Sequence, residues 1–347
     1  GSYVAHLVSN VKEGKVKESL IDDAVRRILR VKFELGLFDD PYKYCDSARE
    51  KEKLYHPDHK EAVLEMAKKS IVLLKNENNI LPLAKNQGKI AVIGELADDT
   101  NSQLGSWRLG SDNNTAVSFL EGLKAYSQDL KYATGPKVFN KDANFLKEGE
   151  VNAKDTSGME EAVALAKESD VVLMVLGEHG FQSGEARSRT NLNLPGLQLD
   201  LLKAVHEVNP NIVLIVMNGR PLTITWEAEN VPAILETWQL GTQTGNAIAE
   251  VLFGDYNPSG KLPMTFPRSV GQIPIYYNHF NTGRPNLEPN VFWSHHSDEQ
   301  NTPLFPFGYG LSYTQFEYSD LEIDSSDQSA IKVNVTVKNS GSVAGEE

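Results

Sequence analysis

The sequence has few cysteines and no long apolar run. Its 347 residues include one cysteine, Cys45, so no disulfide can form within the chain. The longest apolar runs, such as Val171 to Leu176, are far shorter than the ~20 residues that a membrane-spanning helix needs. Glycine and proline number 26 and 16, which excludes collagen-like and low-complexity chains. These absences indicate a globular chain and leave its compartment open.

Positive charge is also in deficit. The chain has 34 Lys and Arg against 47 Asp and Glu, which gives a net charge of -13. A negatively charged surface repels the phosphates of nucleic acids and anionic lipids. We therefore expect a neutral or cationic ligand, with no nucleic acid and no membrane as partner.

Familiar cofactor and nucleophile motifs are missing. Only Gly94 follows the apolar run that begins at Ile90, and no Gly-x-Gly-x-x-Gly is present. The sequence also lacks a His-Glu-x-x-His motif, a paired-Cys motif, a Walker loop and a Gly-x-Ser-x-Gly elbow. His295 and His296 are adjacent and have no spaced partner. We expect no cofactor and no metal.

Amphipathic helices are predicted at the start of the sequence. Ser19 to Asp22 reads as a capping box, an apolar stripe at helical spacing follows, and Gly36 is placed to end the helix. A second helix is predicted over 57–74. The polar stretch over 41–57 offers the first helix no apolar surface to pack against.

Short apolar runs then alternate with segments of helical periodicity. The predicted strands are Ile90 to Gly94, Val171 to Leu176, Ile212 to Met217 and Ala233 to Leu235, and the helices between them are Met159 to Ser169, Leu197 to Val208 and Asn246 to Phe253. Strands that are apolar on both faces and separated by helices favour a mostly parallel sheet covered on both sides. The fold class is therefore α/β, with an α/β sandwich domain over 86–285.

The rest of the sequence predicts a connection and an unfinished sheet. Residues 286–318 read as a connecting loop, in which the aromatic stretch from Phe305 to Tyr313 is interpreted as an interdomain packing strip. Ile331 to Val337 alternates as a half-buried strand with no pairing partner. A β-sandwich needs about 100 residues, more than remain. An unmatched helix at one end and an unfinished sheet at the other predict that this is part of a longer protein.

One loop combines residue types suited to proton transfer and to binding hydroxyl-rich ligands. It follows the strand that ends at Leu176 and carries Glu178, His179, Glu185, Arg187 and Arg189. The carboxyl end of a parallel strand is where ligands bind in open α/β sheets. Glu185 is the candidate catalytic acid, and His179, Arg187 and Arg189 are candidate substrate contacts. The alternative is that these loop residues are only solvated.

Trp107 is predicted at the same sheet edge as Glu185. It lies in a glycine-bounded loop, 105–110, that follows the first strand. Its ring could stack on the apolar face of a sugar or cover the edge of the core, and the sequence leaves both open.

Several segments together resemble glycoside hydrolase family 3, especially its periplasmic β-glucosidase branch. The matching segments are Ile21 to Leu29 with Leu35 to Phe38, Ser70 to Asn76 with Ile80 to Leu83, Ser183-Gly184-Glu185-Ala186 with Leu194-Pro195-Gly196, Gly254 to Pro267, and Pro306 to Tyr313. The chain departs from the family before Asp298. Many relatives have a Ser-Arg-Tyr pattern there, and this chain has Phe292-Trp293-Ser294-His295-His296-Ser297.

The resemblance implies a domain order. An N-terminal (β/α)8 barrel carries an aspartate nucleophile, the α/β sandwich domain supplies the acid/base glutamate, and many members add a fibronectin-like β-sandwich. Residues 1–39 are then the tail of the barrel, 40–85 a linker and helix, and 319–347 the start of a fibronectin type III-like domain. Glu185 takes the acid/base role, and Trp107 borders the leaving-group subsite.

The resemblance also implies a reaction. We expect the chain to be part of a retaining, exo-acting β-glycosidase that is periplasmic or secreted. Its expected substrates are β-linked glucosides or oligosaccharides. This chain alone is expected to be inactive. β-Glucosidase leads, β-xylosidase comes next, and a silent carbohydrate-binding or scaffold module or a self-sufficient α/β hydrolase are the alternatives. At least one of Arg187 and Arg189 should face substrate or another acid such as Glu178, because pairing with Glu185 would favour its ionised form.

Overall fold

The structure is a computed structural model, and it describes residues 1–347 except 86, 109, 128, 142, 281–290 and 327–328. The chain divides into two compact units, Gly1–His59 and Lys60–Glu347. The predicted boundary at 285/286 lies outside the described residues. Among the described residues, no helix combines the length and apolar character needed to cross a membrane.

The first unit is helical. It contains α1 (Ser2–Lys12), α2 (Glu18–Glu34), α3 (Ser47–Lys53) and the start of α4 (Pro57–Ser70). α2 begins before Ser19, and its N-cap Lys17 makes no side-chain capping bond, so the predicted capping box is wrong. Gly36 does end α2, since its N–H and that of Leu37 donate back into the last helical turn. None of the α2 residues is buried.

The second unit holds the remaining elements. Its strands are β1 (Val72–Asn76), β2 (Ile90–Ile93), β3 (Leu130–Ala133), β4 (Phe139–Lys141), β5 (Glu150–Val151), β6 (Val171–Gly177), β7 (Ile212–Met217), β8 (Ala233–Glu236), β9 (Phe316–Asp324) and β10 (Lys332–Asn339). Its helices, after α4, are α5 (Phe119–Leu123), α6 (Met159–Lys167), α7 (Gln198–Val208), α8 (Thr225–Asn230) and α9 (Thr244–Leu252).

A six-stranded sheet in the order β1-β8-β7-β6-β2-β3 forms the centre of this unit. All neighbouring pairs are parallel except β1 and β8. The strands are buried on both faces: Leu173 and Val175 of β6 join one apolar cluster, and Val172 and Met174 join the other. α5 and α9 cover the first face, and α6 and α7 cover the second. The predicted α/β sandwich with a mostly parallel sheet is confirmed.

Two sheet edges differ from the predictions. The helix predicted over 57–74 ends at Ser70, and Val72 to Leu74 form the buried part of β1 instead. A short apolar run has no periodicity that separates a strand from a buried helix segment. The strand predicted at Ile331 to Val337 is β10, but all of its residues are exposed rather than half-buried, and it is not unpaired, because β9 pairs with it in antiparallel register.

The aromatic strip at 305–313 packs on the edge strand β1. Leu311 forms an antiparallel bridge with Leu73, and the Tyr309 hydroxyl donates to the Leu74 carbonyl at 3.2 Å. Within this unit the strip therefore completes the sheet edge of the α/β sandwich.

Candidate active site

Four loops meet at one edge of the sheet because the parallel strands β2, β6, β7 and β8 all end there. The loop after β2 carries Trp107, and the loop after β6 carries Glu185. Arg220 follows β7, and Gln239 follows β8. This edge is therefore the place where chemistry-bearing side chains from distant parts of the sequence can act together.

Glu185 lies at the tip of a tight turn. The backbone of Gly184 has φ 115° and that of Ala186 has φ 60°. Both values lie in the left-handed region, so the chain reverses sharply around Glu185. Glu185 is exposed, and among the described residues its carboxyl has no hydrogen-bond or ion-pair partner. The carboxyl is thus available to a ligand.

Trp107 stands next to this turn. A Cβ placed on Gly184 would lie 3.9 Å from Trp107 Nε1 and would clash with Ser106 Oγ. The Trp107 side chain is 63% exposed and meets the Phe145 ring edge-on, with centroids 6.5 Å apart. An indole this exposed does not cover a core edge. Its ring is available for stacking on a ligand.

A cavity of about 630 Å³, lined mostly by polar residues, lies at the loop that carries Trp107. Its lining is rich in amides and hydroxyls, with two phenylalanines, and comprises Asp99, Asn101, Ser106, Arg108, Ser111, Asn113, Asn114, Ala143, Asn144, Phe145, His179 and Phe181. Donors, acceptors and aromatic faces in one cavity suit a ligand that carries several hydroxyls. Neither Glu185 nor Trp107 lines this cavity, but Ser106, which does, lies against Gly184 and directly precedes Trp107.

His179 is the predicted substrate contact that lines the cavity. It is half-buried, its Nδ1 accepts from the Phe181 N–H at 3.2 Å, and its ring meets Phe139 edge-on at 5.2 Å. These contacts fix the orientation of the imidazole at the start of the Glu185 loop.

The two predicted arginines contact protein groups. Arg187 Nη2 donates to the carbonyl of Phe145 at 2.9 Å. Arg189 Nη1 donates to Glu178 Oε1 at 2.7 Å, and Arg187 Nη1 lies 3.9 Å from Glu148 Oε1, so both arginines face an acid other than Glu185. Neither guanidinium forms an ion pair with Glu185. Direct contact of either arginine with substrate stays a prediction.

Several residues of this edge were missed from the sequence. Arg220 contacts Glu178, whose side chain has no solvent exposure. Gln239 Nε2 donates to Ser183 Oγ at 3.2 Å, two residues before Glu185 in the sequence. Their signal was available, because both follow predicted strands at the carboxyl end.

A second buried acid, Glu236, ends β8 beneath this edge. Burial raises its pKa to about 8, although Asn218 Nδ2 and the Trp238 N–H each donate to its carboxyl at 3.0 Å. Glu236 is therefore mostly uncharged at neutral pH. Across the described part of the chain, no three His, Cys, Asp or Glu side chains group in a way that could hold a metal ion.

Comparison with known proteins identifies the family. Residues 71–313 match the glycosyl hydrolase family 3 C-terminal domain, and the chain belongs to this family.

Several relatives match most of the chain. A periplasmic beta-glucosidase of Salmonella typhimurium is 44% identical over 99% of this chain and 47% of its own length. A beta-xylosidase of Formosa agariphila is 40% identical over 94% of this chain and 44% of its own length. The chain thus spans about half the length of the curated relatives it matches.

A solved structure shares the fold. The beta-glucosidase from Listeria innocua in complex with isofagomine superposes with a TM-score of 0.85 at 34% identity, over 99% of this chain and 46% of that chain. A mutant of that enzyme has been solved in complex with laminaribiose.

Proposed function

We propose that this chain supplies the general acid/base of a retaining, exo-acting β-glycosidase, with β-glucosidase as its leading activity. The observation that carries the proposal is Glu185 itself, an exposed carboxyl without a partner among the described residues, held beside Trp107 and a polar cavity. A carboxyl in such a position can deliver a proton to the leaving oxygen of a glycoside.

The second carboxylate of the reaction is proposed to lie on an N-terminal barrel. In a retaining mechanism, an aspartate forms the glycosyl-enzyme while Glu185 protonates the leaving group, and Glu185 then removes a proton from the attacking water. We assign residues 1–39 to the tail of that barrel and 319–347 to the start of a fibronectin type III-like domain. Support comes from relatives about twice as long as this chain.

The proposed substrates are β-linked glucosides or oligosaccharides. Similarity to the Salmonella typhimurium beta-glucosidase favours glucosides, and similarity to the Formosa agariphila beta-xylosidase makes β-xylosides the alternative. The proposed position of Trp107 is the border of the leaving-group subsite, where its exposed ring can stack on the sugar or aglycone that departs. Kinship with a periplasmic enzyme favours the periplasm or secretion.

The test is a leaving-group comparison in the full-length protein. Glu185→Ala should slow hydrolysis of an alkyl glucoside or a disaccharide by ~10² to 10⁴-fold, and should slow glycosylation by an activated aryl glucoside far less, because a good leaving group needs little protonation. Glu168→Ala, an exposed residue beyond α6, is the control. Equal losses on both substrate types would make Glu185 structural, and an inactive unmodified protein would favour a silent binding module.

The 347-residue chain alone should not turn over glycosides. Acid/base assistance is worth ~10² to 10⁴-fold, far below the ~10⁶-fold or more that enzymes provide. The purified 347-residue chain and its Glu185→Gln variant are assayed in parallel with an aryl β-glucoside. Robust turnover that this substitution abolishes would show that the chain carries its own nucleophile.

A further inference from the structure

We infer that Arg220 is a positioning residue for Glu185: its guanidinium ties together the two ends of the turn that presents the acid/base carboxyl, and buried Glu178 holds the guanidinium in place. This inference rests on the proposed role of Glu185. Arg220 lies on a different strand end from Glu185, so the tie joins two loops of the candidate active site.

Arg220 bridges the turn through one nitrogen. Its Nη2 donates to the carbonyl of Gln182 and, at 2.8 Å, to the carbonyl of Arg187. These two carbonyls stand on either side of Glu185 in the sequence. A guanidinium that donates to both therefore fixes the separation of the two ends of the turn.

Glu178 anchors that guanidinium to the sheet. The Arg220 Nε lies 3.1 Å from the Glu178 carboxylate, whose side chain is fully buried. Glu178 directly follows β6, and its N–H donates to Met217 at the end of β7 at 2.7 Å. A buried carboxylate demands paired donors, which Arg220 and Arg189 supply. The orientation of Arg220 is thus set by the rigid part of the domain.

Gln239 and Gly219, which follow β8 and β7, pack against the start of the same turn at Ser183. Ser183 is buried and accepts from Gln239 Nε2 at 3.2 Å, and a Cβ at Gly219 would clash with the Ser183 side chain. The loop that carries Arg220 therefore lies directly against the first residues of the turn. Proton transfer requires heavy atoms ~2.6 to 3.2 Å apart, so a turn that shifts by 1 Å loses its alignment.

Arg220→Lys tests the fork geometry while keeping the charge. Arg220 contacts Glu178 through Nε and the two carbonyls through Nη2, whereas a lysine must place all of its donors on one nitrogen and lacks this two-point geometry. Arg268→Lys is the matched control, because Arg268 also donates to a backbone carbonyl, that of Thr302, at 3.0 Å and outside the Glu185 loop.

Hydrogen exchange of the 347-residue chain is the first readout. The Gln182 and Arg187 N–H groups both donate within the turn, to His179 and Gly184. Arg220→Lys should make the peptide that contains them exchange ~10-fold faster or more, while the peptides of β6 and β7 and the unfolding temperature stay close to those of the unmodified chain. Arg268→Lys should leave the turn unchanged. Unchanged exchange in Arg220→Lys would overturn the inference.

A second variant covers global destabilisation. If exchange in Arg220→Lys rises throughout the sheet, the double variant Glu178→Gln with Arg220→Gln removes the buried carboxylate charge together with the Arg220 charge that it pairs with. A folded double variant should still lose protection in the turn. Normal protection there would contradict the inference.

Kinetics of the full-length protein separate this inference from the proposed function. Arg220→Lys should lower kcat ~10-fold or more for a poor leaving group and ~2-fold or less for glycosylation by an activated aryl glucoside, with little change in KM. Glu185→Ala without leaving-group dependence would refute the proposed function whatever Arg220 does. If Glu185→Ala shows leaving-group dependence and Arg220→Lys does not, only the inference about Arg220 is refuted, and the proposed function stands.

Discussion

The pH dependence of the free energy of unfolding tests whether Glu236 is buried near the candidate active site without a compensating charge. Its carboxyl is fully buried at the end of β8, and burial raises its pKa from 4.5 to about 8. Replacement by glutamine keeps the shape and removes the charge. The new amide can donate to Asn218 Oδ1, a buried oxygen without a hydrogen-bond partner in the described structure.

The direction and size of the effect follow from linkage. Below pH 4.5 the carboxyl is protonated in the folded and unfolded chain alike, and Glu236 imposes no ionisation penalty. Between pH 4.5 and about 8 the unfolded chain ionises while the folded chain retains the proton, so the free energy of unfolding falls as the pH rises. The full pKa rise corresponds to an upper limit of about 5 kcal/mol, reached above pH 8.

Urea denaturation of the chain at several pH values between 5 and 9 measures this effect. The free energy of unfolding of Glu236→Gln, relative to the unmodified chain, should rise by about 2 to 5 kcal/mol across that range. Glu207→Gln, at an exposed position of α7, should show a flat difference. A flat difference for Glu236→Gln as well would refute the argument that Glu236 is buried without compensating charge.

Two further substitutions test the geometry around Glu185. Gly184→Ala places a side chain where φ is 115° and where Ser106 Oγ stands in the way, so it should displace the turn and lower activity on poor leaving groups by ~10-fold or more. Gly110→Ala, whose Cβ would meet no described residue within 4 Å, should be neutral in the same assay, and equal activities of the two variants would contradict the displacement. Trp107→Ala should raise KM for a disaccharide by ~10-fold through lost stacking, with a smaller effect on kcat. Unchanged steady-state KM would place Trp107 outside the leaving-group subsite.

The central sheet could be predicted because its strands are short and apolar on both faces. β6 and β7 are bounded by helical segments, and this alternation points to a parallel sheet. The sequence predicts a single helix over both α4 and β1, because Val72 to Leu74 closely follow α4 and are all apolar and buried. β9 was missed because periodicity does not reveal which segment pairs with β10.

The candidate site could be located from the sequence, but its internal contacts could not. Trp107 and Glu185 were placed at one edge because both follow parallel strands. Arg187 and Arg189 were predicted as substrate contacts, and their guanidinium groups contact protein carbonyls and Glu178. Arg220 was missed. A loop sequence shows which groups are present, whereas their partners depend on how separate strand ends meet.

The identity of the product formed with azide tests the acid/base assignment most directly. Full-length Glu185→Ala is incubated with an activated aryl β-glucoside and sodium azide, and the products are analysed by NMR. Azide needs no proton removed before it attacks the glycosyl-enzyme, so it replaces the water that Glu185 would activate. We expect faster turnover and accumulation of β-glucosyl azide in this variant. An absence of glucosyl azide, with no rescue of turnover, or a product of α configuration would contradict it.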